Sequence, residues 1–215
     1  LNQRESQALD LESEITTLCN SWGLYRGATV TTIHVRSWLD QFENNTEKRL
    51  MFSLLKNIRF YSEVKIREKL QVIHNHVKRG LVQEIKQVKA DYERVNKNIL
   101  LSAFGQLSKS GASYLRMYAT ENKISRASSN IVDFDKIHSV IKKNKRITAL
   151  VFVEDIIASG GTATEMLQSL SQSCGELLAS QRVKVVVSAI CGFQEGIEYV
   201  ESAIKELPFL VEVYV

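Results

Sequence analysis

Two acids stand side by side at Glu154 and Asp155, directly after the apolar residues Leu150, Val151, Phe152 and Val153. Ile156 and Ile157 follow, and then a turn of small residues, Ala158, Ser159, Gly160, Gly161 and Thr162, with Thr164 just beyond. A glycine-rich turn that leads into a helix offers unpaired backbone N–H groups and the positive end of a dipole, which suits a phosphate. The hydroxyls of Ser159, Thr162 and Thr164 add donors. Carboxylates just upstream sit at a distance suited to ribose hydroxyls or to a divalent cation. Competing readings fail on the residues themselves. A Walker A loop requires Gly-Lys-Ser/Thr and a dinucleotide fingerprint requires G-x-G-x-x-G, and neither occurs here. Ser159 lacks the flanking residues of a nucleophile elbow.

The elements that must position this stretch can be read around it. Strands are expected at residues 99–104, 148–153, 183–190 and 209–215, and helices at 110–122, 134–141, 161–173 and 194–207. Such alternation implies βαβ units and a parallel sheet, because parallel neighbours need a crossover. In open sheets of this kind ligands gather at the carboxyl ends of the strands, where Glu154 and Asp155 fall. Pro208 marks the break between the last helix and the last strand. Residues 1–97 read as helices. Ala8, Leu11, Ile15 and Leu18 recur at helical spacing, as do Val35, Trp38, Leu39 and Phe42. Leu50, Met51, Leu54, Leu55 and Ile58 form a further stripe, and Ile66, Leu70, Ile73 and Val77 another. Thr31 or Thr32, Thr46 and Ser62 are the expected N-caps, and Gly80 the expected C-terminal stop.

The run from Val153 to Thr162, VEDIIASGGT, resembles the signature of the type I phosphoribosyltransferases. The resemblance implies an α/β fold: a parallel-sheet, phosphoribosyltransferase-like (Rossmann-like) domain over residues 98–215, preceded by a helical N-terminal region over residues 1–97. It implies that Glu154 and Asp155 hold the ribose 2- and 3-hydroxyls, with Asp155 reaching magnesium indirectly through them. Ala158, Ser159, Gly160, Gly161 and Thr162, with Thr164, would wrap the 5-phosphate of phosphoribosyl pyrophosphate or a related nucleotide. An earlier family loop binds pyrophosphate, and Lys109, Ser110 and Gly111 occupy its place. A later loop is represented by residues 191–195, where Phe193 is placed to stack on a base. Only the polar stretch 121–130, with Lys123 and Arg126, is available for the family's mobile catalytic loop. Ala158 departs from the Asp that hypoxanthine and guanine enzymes carry at that position, and is similar to the adenine-type loop. The helical stretch 38–74 is similar to phosphoribosyltransferase-like domains of bacterial anti-phage systems, including retron effectors. That likeness implies an alternative role, as a catalytically reduced nucleotide sensor or a nucleic-acid-associated effector subunit.

Bulk properties bound these readings. Hydrophobic residues make up 44% of the 215 and charged residues 24%, ordinary values for a chain with a real core. No apolar window is long enough to span a membrane. Cys19, Cys174 and Cys191 are widely spaced and odd in number, which fits buried thiols in a reducing cytoplasm rather than disulfides or zinc. His74 and His76 are two apart on a helix and do not face each other, so they are expected to be a solvated pair rather than a metal site. Charge is uneven. Residues 46–97 hold 13 Lys and Arg against 6 Asp and Glu, while residues 98–215 hold 12 of each. The basic helices of 46–97 are thus the expected surface for a nucleic-acid or protein partner, and the chain is expected to work as an oligomer or complex subunit. Its apolar ending, from Phe209 to Val215, predicts that residues follow position 215.

Overall fold

The computed structural model describes residues 3–85, 92–104, 111–124 and 130–215. It divides into two compact units, residues 1–66 and residues 67–215, where the sequence suggested a division between 97 and 98. The boundary falls inside a helix, so the helical region contributes one long segment to the sheet-bearing unit.

In the first unit α1 (Gln3–Ser21), α2 (Thr32–Leu39) and α3 (Asn45–Lys56) enclose Ile15, Cys19, Val35, Leu39 and Phe52. Thr31 caps α2 as expected. The cap of α3 is Asn44 and not Thr46, because extended backbone at Asn44 lets its side-chain oxygen accept the Glu47 N–H at 2.9 Å. The anticipated stripe of α3 is also rotated. Met51, Phe52 and Leu55 face the core, while Leu50, Leu54 and Ile58 are 62%, 55% and 55% exposed. The bulky Phe52, absent from the 3–4 spacing count, takes the inward position.

The second unit contains α4 (Glu63–Ile85) from Arg67 onward, α5 (Tyr92–Lys97), β1 (Ile99–Ser102), α6 (Gly111–Glu121) and α7 (Ile137–Lys143). It continues through β2 (Ala149–Ile157), α8 (Gly161–Ser180), β3 (Lys184–Gly192), α9 (Gln194–Ala203) and β4 (Val211–Tyr214). The four strands are parallel and adjacent in the order β1-β2-β3-β4. One further pairing fixes the topology. Ile131 bridges in parallel to Leu101 on the outer side of β1, with Leu101 N–H donating to the Asn130 carbonyl and Val132 N–H to the Leu101 carbonyl. The chain therefore leaves β1 toward one edge and returns to β2 on the other side. Counting Ile131 as a short second strand, this is the doubly wound 2-1-3-4-5 order, whose switch point lies beside the first strand, between β1 and β2.

Both sheet faces are buried, as parallel sheets require. Leu100, Leu150, Phe152, Val185 and Val187 join a core with Ile137, Ile141, Leu167 and Leu170 of α7 and α8. The alternate residues Ile99, Leu101, Ala149, Val151 and Val186 are equally buried, on the face that α4 and α6 cover. Lys69 of α4 donates to the Ile190 carbonyl of β3 at 2.7 Å. Gly80 does not end its helix. It stands inside α4, where a Cβ would lie 2.7 Å from Lys184 Nζ, and its absence lets Lys184 pair with Glu212 at 2.5 Å.

His74 also departs from expectation. It is buried rather than solvated. Its Nδ1 accepts from the Tyr118 hydroxyl at 2.8 Å, and its Nε2 donates to Asn96 Oδ1 at 3.0 Å. Asn96 in turn donates to the Asn122 carbonyl, so the network joins α4, α5 and the end of α6. His76 stacks on Tyr214 instead. Burial, reinforced by Lys78 and partly offset by the Asn96 bond, pushes the His74 pKa down to about 4. A histidine held neutral when folded contributes stability that is present above its ordinary pKa, 6.5, and lost as pH falls toward about 4. His74→Gln, which keeps a donor and an acceptor, should flatten the acid side of a denaturation-midpoint profile between those values. An unchanged slope would mean that His74 titrates alike in both states.

Candidate functional site

The site forms because β2 runs longer than the sequence suggests. The strand continues through Glu154 and Asp155 to Ile157, so both acids lie in its last turns of pleat at the switch point. Neighbours on a strand leave by opposite faces, yet at a strand end both side chains reach the same crevice. A cavity of about 280 Å³ opens there. Among the described residues it is lined by Phe104, by 154–160, and by Thr162 and Ala163.

Glu154 is half-buried, and its Oε1 accepts the Phe104 N–H at 2.7 Å, across the gap between β1 and β2. The Phe104 ring stacks on Phe152 with centroids 4.5 Å apart, which anchors that N–H. Burial pushes the Glu154 pKa up to about 7; the Phe104 N–H pulls it down, and the neighbouring Asp155 charge adds to the rise. Asp155 is half-buried, and its Oδ1 accepts the Ile156 N–H at 2.9 Å. One oxygen of each carboxylate thus remains for another partner.

The turn after β2 is held by its backbone. Gly160 has φ 80°, a left-handed conformation that glycine adopts without cost, and it is the N-cap of α8. The first helical bond runs from Thr164 N–H to the Gly160 carbonyl at 3.0 Å, which leaves the N–H groups of Gly161, Thr162 and Ala163 without helical acceptors. Among the described residues only Gly161 N–H has a nearby oxygen, Ser159 Oγ at 3.4 Å. The turn rests on the first turn of α9. A Cβ on Gly196 would fall 1.9 Å from the Ala158 carbonyl oxygen, and one on Gly160 would fall 2.4 Å from the Gly196 carbonyl oxygen. Phe193 N–H donates to the Ile157 carbonyl at 2.9 Å, tying the end of β2 to the start of α9.

Of the residues singled out in the sequence, Glu154, Asp155, Ala158, Ser159, Gly160 and Thr162 share the cavity wall. Gly161 begins α8, and Gly111 begins α6. Thr164 does not reach the cavity wall. It is buried, and its hydroxyl has no hydrogen-bond partner. Phe193 is 64% exposed at the N-cap of α9 and is not part of the lining. Lys109, Ser110 and Arg126 lie outside the described residues. Sequence reasoning missed two contributors. Phe104 was read as the last residue of a strand, but β1 ends at Ser102 and Phe104 supplies the N–H that holds Glu154. Gly196 carried no signal beyond being a glycine in a helix, a residue that weakens helices and so needs another reason.

Among the described residues no cluster of three or more His, Cys, Asp or Glu could hold a metal by itself, and no helix is long and apolar enough to cross a membrane. The family model PRTase-CE matches residues 35–214 of the chain, a stretch that contains every element of the site. No curated protein and no solved structure matches the chain.

Gly196→Ala should destabilise the fold by about 1–3 kcal/mol in urea denaturation, because backbone rather than a yielding side chain meets the new methyl. Glu154 supplies a second test. Its raised pKa contributes stability that is present below the ordinary value of 4.5 and lost as pH rises through about 7. Glu154→Gln retains an acceptor for the Phe104 N–H and removes the charge, so it should gain stability relative to the parent as pH climbs across that window. A constant difference at every pH would show that the carboxyl ionises as readily in the fold as in the open chain.

Proposed function

The chain belongs to the PRTase-CE family, a phosphoribosyltransferase-like domain, and from that premise we propose that its cavity receives the ribose 5-phosphate of phosphoribosyl pyrophosphate or a related nucleotide. The observation that carries this reading is the meeting of two carboxylates and an uncapped helix start around one cavity. The 5-phosphate takes the N–H groups of Gly161, Thr162 and Ala163, with the Ser159 and Thr162 hydroxyls beside them. The ribose hydroxyls donate to the free oxygens of Asp155 and Glu154. A cavity of about 280 Å³ stands at the small end of the roughly 300–1,000 Å³ usual for ligand pockets, which suits a sugar phosphate.

In a transferase, the bond between the anomeric carbon and pyrophosphate breaks with its electron pair leaving on pyrophosphate, positive charge grows on the ribose, and a nitrogen nucleophile supplies the electron pair of the new bond to that carbon. The Glu154 and Asp155 carboxylates stabilise that charge. The grip on the 5-phosphate does no chemistry; it supplies remote binding energy that positions the reacting carbon. The donor set fits magnesium, since the described lining offers carboxylate oxygens and neither His nor Cys. Asp155 would hold it through the ribose hydroxyls, and it would offset the charge of the departing pyrophosphate. Within this reading Lys109, which occupies the place of the family's pyrophosphate loop, shares that task.

One observation favours a second reading. With a pKa of about 7, Glu154 is only half ionised near neutrality, which weakens it as an electrostatic catalyst. A catalytically reduced sensor, working as a subunit of a defence effector, would bind the same ligand without turning it over.

Thermal denaturation with phosphoribosyl pyrophosphate and magnesium tests both readings. The parent protein should gain about 2.7 kcal/mol at a ligand concentration 100 times Kd, and Glu154→Gln/Asp155→Asn should gain almost nothing. Pyrophosphate release then marks a transferase, and stabilisation without release marks a sensor. Equal behaviour of the two proteins would remove the cavity from consideration.

A further inference from the structure

Residues 98–215 are neutral in sum, yet their charges are sorted. Of their 12 cations, four fall in the five residues Lys142, Lys143, Asn144, Lys145 and Arg146, and no acid lies between Asp135 and Glu154. The basic run sits at the end of α7 and the start of β2, the pole of the sheet opposite the cavity described above. A second and larger cleft opens there, about 670 Å³, lined among the described residues by Lys97, Asn98, Asn144 and Arg146. Lys97 and Asn98 precede β1, Asn144 and Arg146 precede β2, and these two strands run side by side.

The lining is rich in donors. Lys97 and Arg146 are exposed, and no carboxylate is paired with either among the described residues. Asn98 and Asn144 are half-buried. Asn144 Oδ1 accepts the Arg146 N–H at 3.1 Å, which turns its amide N–H₂ free for another acceptor. Fold stability accounts for part of this charge: Lys142 and Lys143 close the last turn of α7, where cations suit the helix dipole. It does not account for Lys97 and Arg146, which line the cleft from the segments before β1 and β2, or for the exposed Lys145 between Asn144 and Arg146. Among the described residues no aromatic side chain lines the cleft, so these residues offer phosphate donors rather than a base-stacking platform. Two cations and two amides line the cleft, and three more cations stand beside Asn144 and Arg146 in sequence; together they exceed what one phosphate needs and match successive phosphates along a chain.

We propose that this cleft binds the phosphate backbone of a nucleic acid, without reading its bases, at Lys97, Asn98, Asn144 and Arg146, with the exposed Lys142, Lys143 and Lys145 of the same basic run adding charge. Of the basic residues of 46–97, Lys97 alone lines it among the described residues. The cleft is separate from the phosphoribosyl site. The eight steps of β2 from Ala149 to Ile157 span about 26 Å at about 3.3 Å each, well beyond the roughly 8–10 Å over which exposed charges act in ordinary salt.

Fluorescence anisotropy with a labelled 20-base-pair DNA duplex tests the proposal, using the whole chain over a range of salt. Binding should weaken linearly in log affinity against log salt, by about 0.9 per phosphate contacted. Lys97→Ala/Arg146→Ala should weaken binding about tenfold and lower the slope by about 1.8. Both side chains are exposed, so thermal denaturation should show the variant folded. Lys56→Ala/Arg59→Ala on the first unit and Glu154→Gln/Asp155→Asn at the cavity should bind the duplex as the parent does. Absence of binding, binding insensitive to Lys97→Ala/Arg146→Ala, or complete displacement by millimolar inorganic phosphate without salt slope would each overturn it. Loss of the phosphoribosyl reading alone would leave duplex binding intact, so the two failures are distinguishable.

Discussion

The Phe104 N–H donates to Glu154 across the one gap in the sheet where neighbouring strands are reached in opposite directions. Everything at the site depends on how that gap is held. A doubly wound sheet must open where its crossovers diverge, since the connecting segments leave for opposite faces and nothing fills the crevice between. Here the crevice is spanned by a carboxylate on one side and a backbone donor on the other, and the stacked rings of Phe104 and Phe152 sit beneath. The bond sets the width of the cavity and aims the remaining Glu154 oxygen into it. It also explains why burial alone does not fully neutralise the acid.

The far wall is held differently, by backbone against backbone. Ala158, Gly160 and Gly196 approach so closely that no side chain fits between them. Packing of this kind fixes N–H directions more firmly than side-chain contacts do, because no rotamers intervene. The unpaired donors at the start of α8 are therefore pre-set, so the phosphate of the proposed ligand would meet them without reorganisation. The unpartnered Thr164 hydroxyl lies just behind this surface. Among the described residues of α8 it is the one buried side-chain oxygen without a hydrogen-bond partner.

Short-range patterns explain what was legible in the sequence. All four strands, the helices between them and the cavity residues 154–162 follow from alternating apolar runs, paired acids and a glycine turn, each a local signal. What escaped was non-local. Gly196 matters because of Ala158, 38 positions away, and Phe104 because of Glu154, 50 positions away. Gly80 obeyed the rule for a helix stop, but the space needed by Lys184 overrode it. The layer that α4 covers was hidden for a similar reason. The stripe of Leu70, Ile73 and Val77 looks like that of any helix, and nothing in it tells which layer it will cover.

His74 and Glu154 show how a structural titratable group can be told from one poised for a ligand. Both are removed from water, and both have shifted pKa values, about 4 and about 7, in the directions that burial dictates. The shifts alone do not separate them. Their hydrogen bonds do. Both nitrogens of His74 are engaged by Tyr118 and Asn96, and the ring is sealed, so its neutrality is complete and serves the fold. Glu154 has one oxygen engaged and lines an open cavity with the other. A half-satisfied acid beside an equally half-satisfied Asp155 costs stability in the empty protein, in the same pH range where His74 adds it. A fold under no functional demand would replace such a pair with apolar residues. Its presence at the mouth of the switch point, beside unpaired helix donors, is what the proposed ribose 5-phosphate ligand would account for.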